Sequence, residues 1–303
     1  MLPEFDLLRP QTLPEALALL AEQAPEVMPL AGGTNVIVEL RDGHPCPRRL
    51  MDVSKLRELR GIRRDNGRVA PNDGRVVPND IVIGGGTTMT ELLAHPLIAE
   101  QSLPLKQAAA ELGNPLVRNR ATVAGNLVNA SPAADTAPPL IALGAEVELT
   151  SKTGTRRVPL DEFMVGVNKT LIQPDELLTA LRWPAPPARS AAGFYKIGLR
   201  KADACSVINA AAMIVWDESG LCRQARIAIG AAAPRPVRAR RAESALLGRP
   251  LDAGTIEEAA HLAVESVQPI DDIRGTAAYR RRMVPVMVRR LLEQIVERQA
   301  GRR

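Results

Sequence analysis

Aromatic residues make up only 2 % of this 303-residue chain, so its cores rest on Ala, Leu, Val and Ile, a mix common in soluble enzymes. The three cysteines, Cys46, Cys205 and Cys222, are odd in number and far apart. They form neither a disulfide framework nor a metal-binding spacing. His44, His95 and His261 are equally scattered, with no HxH or HxxxH pair, which leaves a protein-held transition metal without support. No apolar run approaches the ~18 residues of a membrane helix, and the start MLPEFDLLRP lacks the basic-then-apolar order of a signal peptide. A cytoplasmic protein is the expectation. The net charge of +5 is largely arginine, grouped at 235–241 and 280–282 and near the end of the sequence. Nucleic-acid binding would want aromatics beside those arginines to stack bases, and Tyr279 is the only one.

What is present is a chain long enough for two or three packed units. Thr12, Pro14 and Glu15 open a capping-box helix over about 12–23. A short strand at 27–30 then runs into Ala31-Gly32-Gly33-Thr34-Asn35 and a helix start at 36–40. Two glycines let a backbone approach a ligand closely, and a helix start offers unpaired N–H groups, so this turn suits an anion. It is neither a P-loop nor G-x-G-x-x-G, and by itself it is also an ordinary glycine turn. Strand 49–52 and a helical turn at 54–59 follow. Next, the seven residues 67–73 recur almost verbatim at 74–80, which reads as a lengthened surface hairpin loop.

Strand 81–83 enters Gly84-Gly85-Gly86-Thr87, and Thr88 with Glu91 forms a second capping box. A helix over 105–112 leads to the run at 120–143, where Gly125, Asn126, Asn129, Ser131 and Asp135 crowd together with no amphipathic period. Such a run is poor core material. It supplies close backbone approach and short polar arms. Beyond it, 145–160 reads as a hairpin, 177–181 as a strand and 184–192 (PAPPARSAA) as a linker. Three strands, at about 194–200, 207–216 and 221–231, follow. The last alternates Ala225, Ile227 and Ile229 with Gln224 and Arg226, as in a sheet covered on one side. Helices close the chain at 239–247, at 255–267 from a box on Thr255 and Glu258, and at 276–299, which Pro285 should start or kink.

These motifs together resemble the FAD-binding medium subunit of the molybdenum hydroxylases, the family of xanthine dehydrogenase and aerobic carbon monoxide dehydrogenase. The carrying residues are 31–35, then 117–126 (VRNRATVAGN) continuing to Ala130-Ser131-Pro132 and Asp135, then Val158-Pro159-Leu160-Asp161-Glu162-Phe163. In the second half they are Phe194-Tyr195-Lys196, Arg200 with Asp203, 228–236, and 269–275 with Tyr279-Arg280. The match runs in order over nearly the whole chain.

The resemblance implies an α+β fold: an FAD-binding domain of the vanillyl-alcohol-oxidase (PCMH) type at 1–184, with subdomains about 1–60 and 61–184. A C-terminal domain of three-stranded antiparallel sheet plus helices follows at 190–303. It implies that Pro29, Leu30, Ala31, Gly32, Gly33, Thr34, Asn35 and Val36 wrap the FAD through backbone N–H groups, as do Thr122, Val123, Ala124, Gly125 and Asn126. Ser131 belongs to the same motif, and Asp135 accepts hydrogen bonds from cofactor hydroxyls, so Asp135→Ala should weaken FAD retention with little change in folding. Lys196 lies near the flavin end, and Leu112 and Leu171 pack beside the flavin or the adenine. No residue of this chain is catalytic, and it holds no metal. The molybdenum cofactor sits on a large partner subunit and the 2Fe-2S clusters on a small one, with a dimer of heterotrimers as the assembly. Electrons then leave for NAD+, a quinone or O2.

Two departures from the family matter. Ala124 stands where a glycine is usual and would be strained if its φ were positive. The cysteine-rich insertion for an additional iron–sulfur cluster, found in one branch, is missing. The alternatives are a stand-alone FAD-dependent oxidoreductase of this fold, which would need its own proton donor over the flavin, and a non-catalytic scaffold or nucleic-acid binder.

Overall fold

The computed structural model describes residues 2–45, 47–65 and 79–301. Of the seven-residue duplication, all but Asn79 and Asp80 lies outside them. The chain opens with β1 (Asp6–Leu8), α1 (Leu13–Gln23), β2 (Val27–Leu30), α2 (Val36–Arg41) and β3 (Arg49–Asp52). Thr12 caps α1 by accepting from the Glu15 N–H, and Ala16, Leu17 and Leu20 bury its apolar face. The expected reciprocal box is not closed on Thr12, because the Glu15 carboxylate accepts from the Gln11 N–H instead (2.6 Å). The strands pair in parallel in the order β1-β3-β2. This puts β2 at an edge, so the chain leaves Leu30 into the 31–35 turn with one side unpaired.

A 3-10 turn (Arg57–Leu59), β4 (Ile62–Asp65) and β5 (Asp80–Gly84) lead to five helices and a further short one: α3 (Met89–Ala94), α4 (Pro96–Gln101), α5 (Leu103–Glu111), α6 (Pro115–Arg118), α7 (Val123–Val128) and α8 (Ala137–Leu143). Here the capping box is complete, Thr88 and Glu91 each satisfying the other's backbone at the start of α3. Then come β6 (Glu146–Ser151), β7 (Gly154–Pro159), α9 (Leu160–Phe163), β8 (Met164–Gly166), β9 (Lys169–Thr170) and β10 (Leu177–Pro184). An antiparallel sheet of order β4-β5-β10-β6-β7 results. Its Ile81, Ile83, Val147 and Leu181 share one core with Met89, Leu105, Leu127 and Leu140 of the helices.

The third sheet is β11 (Ser190–Gly198), β12 (Ser206–Trp216) and β13 (Cys222–Gly230), extended at its edge by the two residues of β14 (Val237–Arg238). The expected linker is shorter than its composition suggests. Ser190, Ala191 and Ala192 already pair with Val215, Ile214 and Met213, leaving only 185–189 between strands. Nor is the sheet covered on one side. Every residue of β12 is buried, with Ile208, Ala210, Ala212 and Ile214 in the core of the closing helices. Met213 and Val215 belong to the core of the preceding sheet, and Ala211 packs with Ala108 of α5 and Ala142 of α8. The unbroken apolar run 210–216 is what a strand buried on both faces requires, and it outweighs the alternation of its neighbour.

Helices α10 (Arg240–Leu246), α11 (Ala253–Leu262) and α12 (Ala277–Ala300) complete the chain. The cap of α11 is Asp252, whose carboxylate accepts from the Thr255 N–H (2.8 Å). Thr255 is thus the third residue of the helix, and a 3-10 turn (Ala263–Ser266) follows Leu262. Pro285 lies inside α12, which Thr276 caps. Among the described residues no helix is long and apolar enough to cross a membrane.

Of the described cysteines, Cys205 is exposed and Cys222 buried. Burial pushes the Cys222 thiol up to about 11, so the reactive thiolate is scarce at neutral pH. A thiol-directed reagent applied to the native protein at pH 7 should modify Cys205 and spare Cys222, as read by peptide mass spectrometry. Equal labelling of both would show that β13 opens readily.

Candidate cofactor site

The first glycine turn joins edge strand β2 to α2. Among the described residues no acceptor takes the backbone N–H groups of Ala31, Gly32, Gly33, Thr34, Asn35 and Val36; the first bond of the following helix is Ile37 N–H to Gly33 O, at 3.1 Å. A run of six donors without internal partners is an anion-binding nest. No side chain at 32 or 33 stands in front of it, and Thr34 adds a hydroxyl. This donor set fits the pyrophosphate of a dinucleotide.

Gly32 also marks where the two motifs meet. A β-carbon built there would overlap the backbone carbonyl of Arg120, and the Arg120 Nε donates to the Gly32 carbonyl (3.4 Å). The second motif is organised differently. Val123 N–H donates to Thr87 O and Ala124 N–H to Gly85 O, each at 3.0 Å. The Gly125 N–H goes to Thr122 Oγ1 (3.1 Å) and the Asn126 N–H to Thr122 O (3.0 Å). These four amides, expected to wrap the cofactor, are therefore already used inside the chain. The acceptors of Val123 and Ala124 lie in the 84–87 turn, whose place in the site the sequence reading missed, and those of Gly125 and Asn126 are both on Thr122. Three glycines directly after the buried strand at 81–83, one more than the turn at 31–35 carries, were the available signal.

The concern over Ala124 resolves. It lies in the first turn of α7 and is not among the residues with positive φ, so its methyl group causes no backbone strain. Two other alanines do take left-handed φ beside the motif, Ala130 (48°) and Ala231 (59°). The Asn168 N–H holds the Ala130 carbonyl (3.1 Å), and the Ala231 N–H donates to Pro132 O (2.7 Å). Strained backbone survives where its surroundings over-determine it. Nothing in the sequence marks these two positions.

Asp135 and Lys196 are brought together as a buried ion pair, Nζ to Oδ2 at 2.6 Å, with side chains 8 % and 4 % exposed. Lys196 Nζ also donates to the Glu111 carbonyl (2.9 Å). The other carboxylate oxygen of Asp135 accepts from Ser206 Oγ (2.6 Å) and Asn209 Nδ2 (2.9 Å). A carboxylate expected to face cofactor hydroxyls is thus tied first to the C-terminal sheet. Beside Lys196 opens a pocket of about 390 Å³ whose rim includes Glu111, Arg200 and Lys201. Burial raises the Glu111 carboxyl, with Lys196 opposing and Asp135 reinforcing the rise.

The remaining expected residues divide. Pro29 and Leu30 close β2 beside the nest. Ser131 Oγ accepts from the Ala133 N–H (3.3 Å) in the turn that leads to Asp135. Asn126 Oδ1 accepts from Thr136 Oγ1 (2.6 Å). Leu112 is buried in the core with Ala121 and Val123, beneath the second motif. Leu171, in contrast, is 38 % exposed; its N–H donates to Phe163 O (3.0 Å) and its carbonyl accepts from Arg156 (2.7 Å). None of its hydrogen bonds ties it to either turn.

Comparison with known proteins accords with this architecture. Residues 3–186 match the FAD binding domain in molybdopterin dehydrogenase, and residues 193–295 match the CO dehydrogenase flavoprotein C-terminal domain. The carbon monoxide dehydrogenase medium chain of Afipia carboxidovorans is 32 % identical, with 97 % of each chain covered. The xanthine dehydrogenase FAD-binding subunit of Escherichia coli O157:H7 is 31 % identical, again over 97 % of each. Among solved structures, carbon monoxide dehydrogenase from Hydrogenophaga pseudoflava superimposes with a TM-score of 0.91 at 30 % identity, covering 98 % of this chain and 99 % of that one. With both halves matched end to end and the nest in place, the chain belongs to the FAD-binding subunits of the molybdenum hydroxylases, oxidoreductase components of the xanthine dehydrogenase and carbon monoxide dehydrogenase family.

Proposed function

We propose that this chain relays electrons. A large molybdenum-binding subunit oxidises the substrate, a small 2Fe-2S subunit passes the electrons on, and the FAD held here delivers them to NAD+, a quinone or O2, in a cytoplasmic dimer of heterotrimers. The observation that carries the reading is the run of six amides at 31–36 without internal acceptors. Bound FAD supplies the reversible two-electron uptake that no side chain of this chain provides. The chain's own work is positional. The nest neutralises the pyrophosphate, Thr34 and Ser131 offer hydroxyls, and Thr122 and Asn126 contribute through side chains, the N–H groups of Val123 and Ala124 being spent on the 84–87 turn and those of Gly125 and Asn126 on Thr122. Lys196, held by Asp135, favours negative charge beside it. Leu112 supports the second motif from beneath, and Leu171 would reach the cofactor through its exposed side chain. The break at 185–189 is the natural division between the FAD-binding part and the C-terminal part.

A partner site is supported by the 270–275 turn, where Ile273 is fully exposed and Ile270 67 % exposed. Such apolar side chains are wasted in water unless something covers them. The turn is rigidly held. Buried Arg280 donates to Val207 O (2.9 Å), to Ile270 O and to Asp272 Oδ1 (2.7 Å). Burial works to raise the Asp272 carboxyl, but Arg274 and Arg280 outweigh it and hold the group well below the usual carboxylate range. This anchor is intact above about pH 4 and is lost only as acid carries the group through its depressed pKa. Val207 adjoins Ser206, which holds Asp135, so the turn lies at the cofactor end of β12 and suits the iron–sulfur subunit. Ile273→Asp should leave the melting temperature nearly unchanged, as surface substitutions do, and lower recovery of the iron–sulfur chain on co-purification. Full recovery would place that partner elsewhere.

The functional reading is tested by purifying the chain from its native host, releasing bound cofactor with acid and identifying it by chromatography. FAD, together with co-purifying molybdenum and iron–sulfur chains, is the expected result. FAD without those chains would favour the stand-alone flavoenzyme, and no FAD would sink both.

A further inference from the structure

Lys196, Asn209 and Gly230 lie in one row across β11, β12 and β13. Asn209 is completely buried. Its Nδ2 donates to Asp135 Oδ1 (2.9 Å) and to Ser206 Oγ (3.1 Å). Turning the amide over would set its oxygen against a carboxylate, so its polarity is fixed by charge. The other end of that amide, Oδ1, is buried with no donor among the described residues. It occupies space that a β-carbon at position 230 would claim. A buried acceptor without a donor is unfavourable, and asparagine at 209 bears that penalty in return for the two bonds its amide donates to Asp135 and Ser206.

Asp135 explains it. With Asn209 and Ser206 on Oδ1, the carboxylate plane is pinned, and Oδ2 is left to grip Lys196. Lys196 spends two of its three N–H bonds on Asp135 and the Glu111 carbonyl. No acceptor among the described residues takes the third, and its direction follows from how the first two are held. We propose that Asn209, given its clearance by Gly230, is a positioning residue that acts through Asp135 to aim the Lys196 ammonium at the bound cofactor. The proposal rests on the flavin reading above.

Its test uses the assembled complex carrying Asn209→Leu, Asn209→Ala, Gly230→Ala or the last two together. FAD content of the wild type is measured first, then the FAD dissociation constant and the flavin midpoint potential of each variant. Asn209→Leu keeps the volume and removes the donor. It should weaken FAD binding about ten- to a hundredfold, the equivalent of one hydrogen bond to a charged group, and shift the potential while the complex still melts cooperatively. Gly230→Ala should produce the same pair of changes by displacing Asn209, yet add little in the Asn209→Ala background. Wild-type affinity and potential in Asn209→Leu would overturn the proposal, as would simple additivity of Gly230→Ala and Asn209→Ala. A wild-type complex without FAD would overturn both this inference and the functional reading. FAD in the wild type with unperturbed variants would overturn this inference alone.

Discussion

Asp135→Ala should destabilise the protein by about 3–5 kcal/mol and strip it of FAD, because it leaves a buried cation with no counter-charge. The Lys196 side chain is only 4 % exposed, and among the described residues Asp135 is its one ionic partner. Ser206 and Asn209 lose their shared acceptor in the same step. This differs from the expectation drawn from the motif alone, in which the carboxylate met the cofactor and its loss spared the fold. Removing both charges separates the two effects. In Asp135→Ala with Lys196→Met, the uncompensated charge is gone, so much of the stability should return while FAD retention stays low. Urea unfolding midpoints and the FAD-to-protein ratio read the two outcomes independently. A single Asp135→Ala variant that melts like the wild type would mean that Lys196 finds water or another acceptor.

Gly32→Ala is expected to weaken FAD binding at least about tenfold, or about 1.4 kcal/mol. The added methyl would overlap the Arg120 carbonyl, and the obstruction is backbone, with Ala121 N only 3.1 Å away. No side chain can rotate to make room. Either the first turn lifts off the second, spreading the nest, or the 120–121 backbone moves and drags on α7. Gly254→Ala is the matched control. It lies in α11 with its nearest neighbour, Asp252 Oδ1, at 3.6 Å, and alanine is the better helix former there. FAD affinity should be unchanged in that variant. If Gly32→Ala also binds FAD normally, the contact between the turns is not what holds the nest in shape.

Local signals in the sequence were reliable where a single interaction decides the local structure. The caps at Thr12 and Thr88 start helices in the structure, and β2 with its glycine turn lies where the apolar run ended. Reading failed where two caps compete within one turn of chain. Asp252 outranks Thr255 because its carboxylate accepts the N–H of the third helical residue, which a cap at Thr255 would have left unserved. It failed again on the C-terminal sheet, since Gln224 and Arg226 make β13 look half-solvated while β12 beside it is buried on both faces. What a strand packs against is a non-local fact.

The site shows the same division. Gly32, Gly33 and Thr34 were identifiable from composition, and so was the polar run that ends at Asp135. That Asp135 would meet Lys196, Ser206 and Asn209 could not be read from spacing, since these partners are contributed by two strands of a different sheet. Nor could it be known that the second motif spends its amides on Thr87, Gly85 and Thr122. Two turns of similar composition are thereby separated into different roles. The first keeps its donors free, and the second fixes the first in place.

Amide hydrogen exchange on the complex, with FAD removed and then restored, tests that separation most directly. The amides of residues 31–36 should exchange fast without FAD and become protected when it binds. Those of 123–126 should be protected in both states, as their internal acceptors require. Protection gained mainly at 123–126, with 31–36 unchanged, would contradict the account.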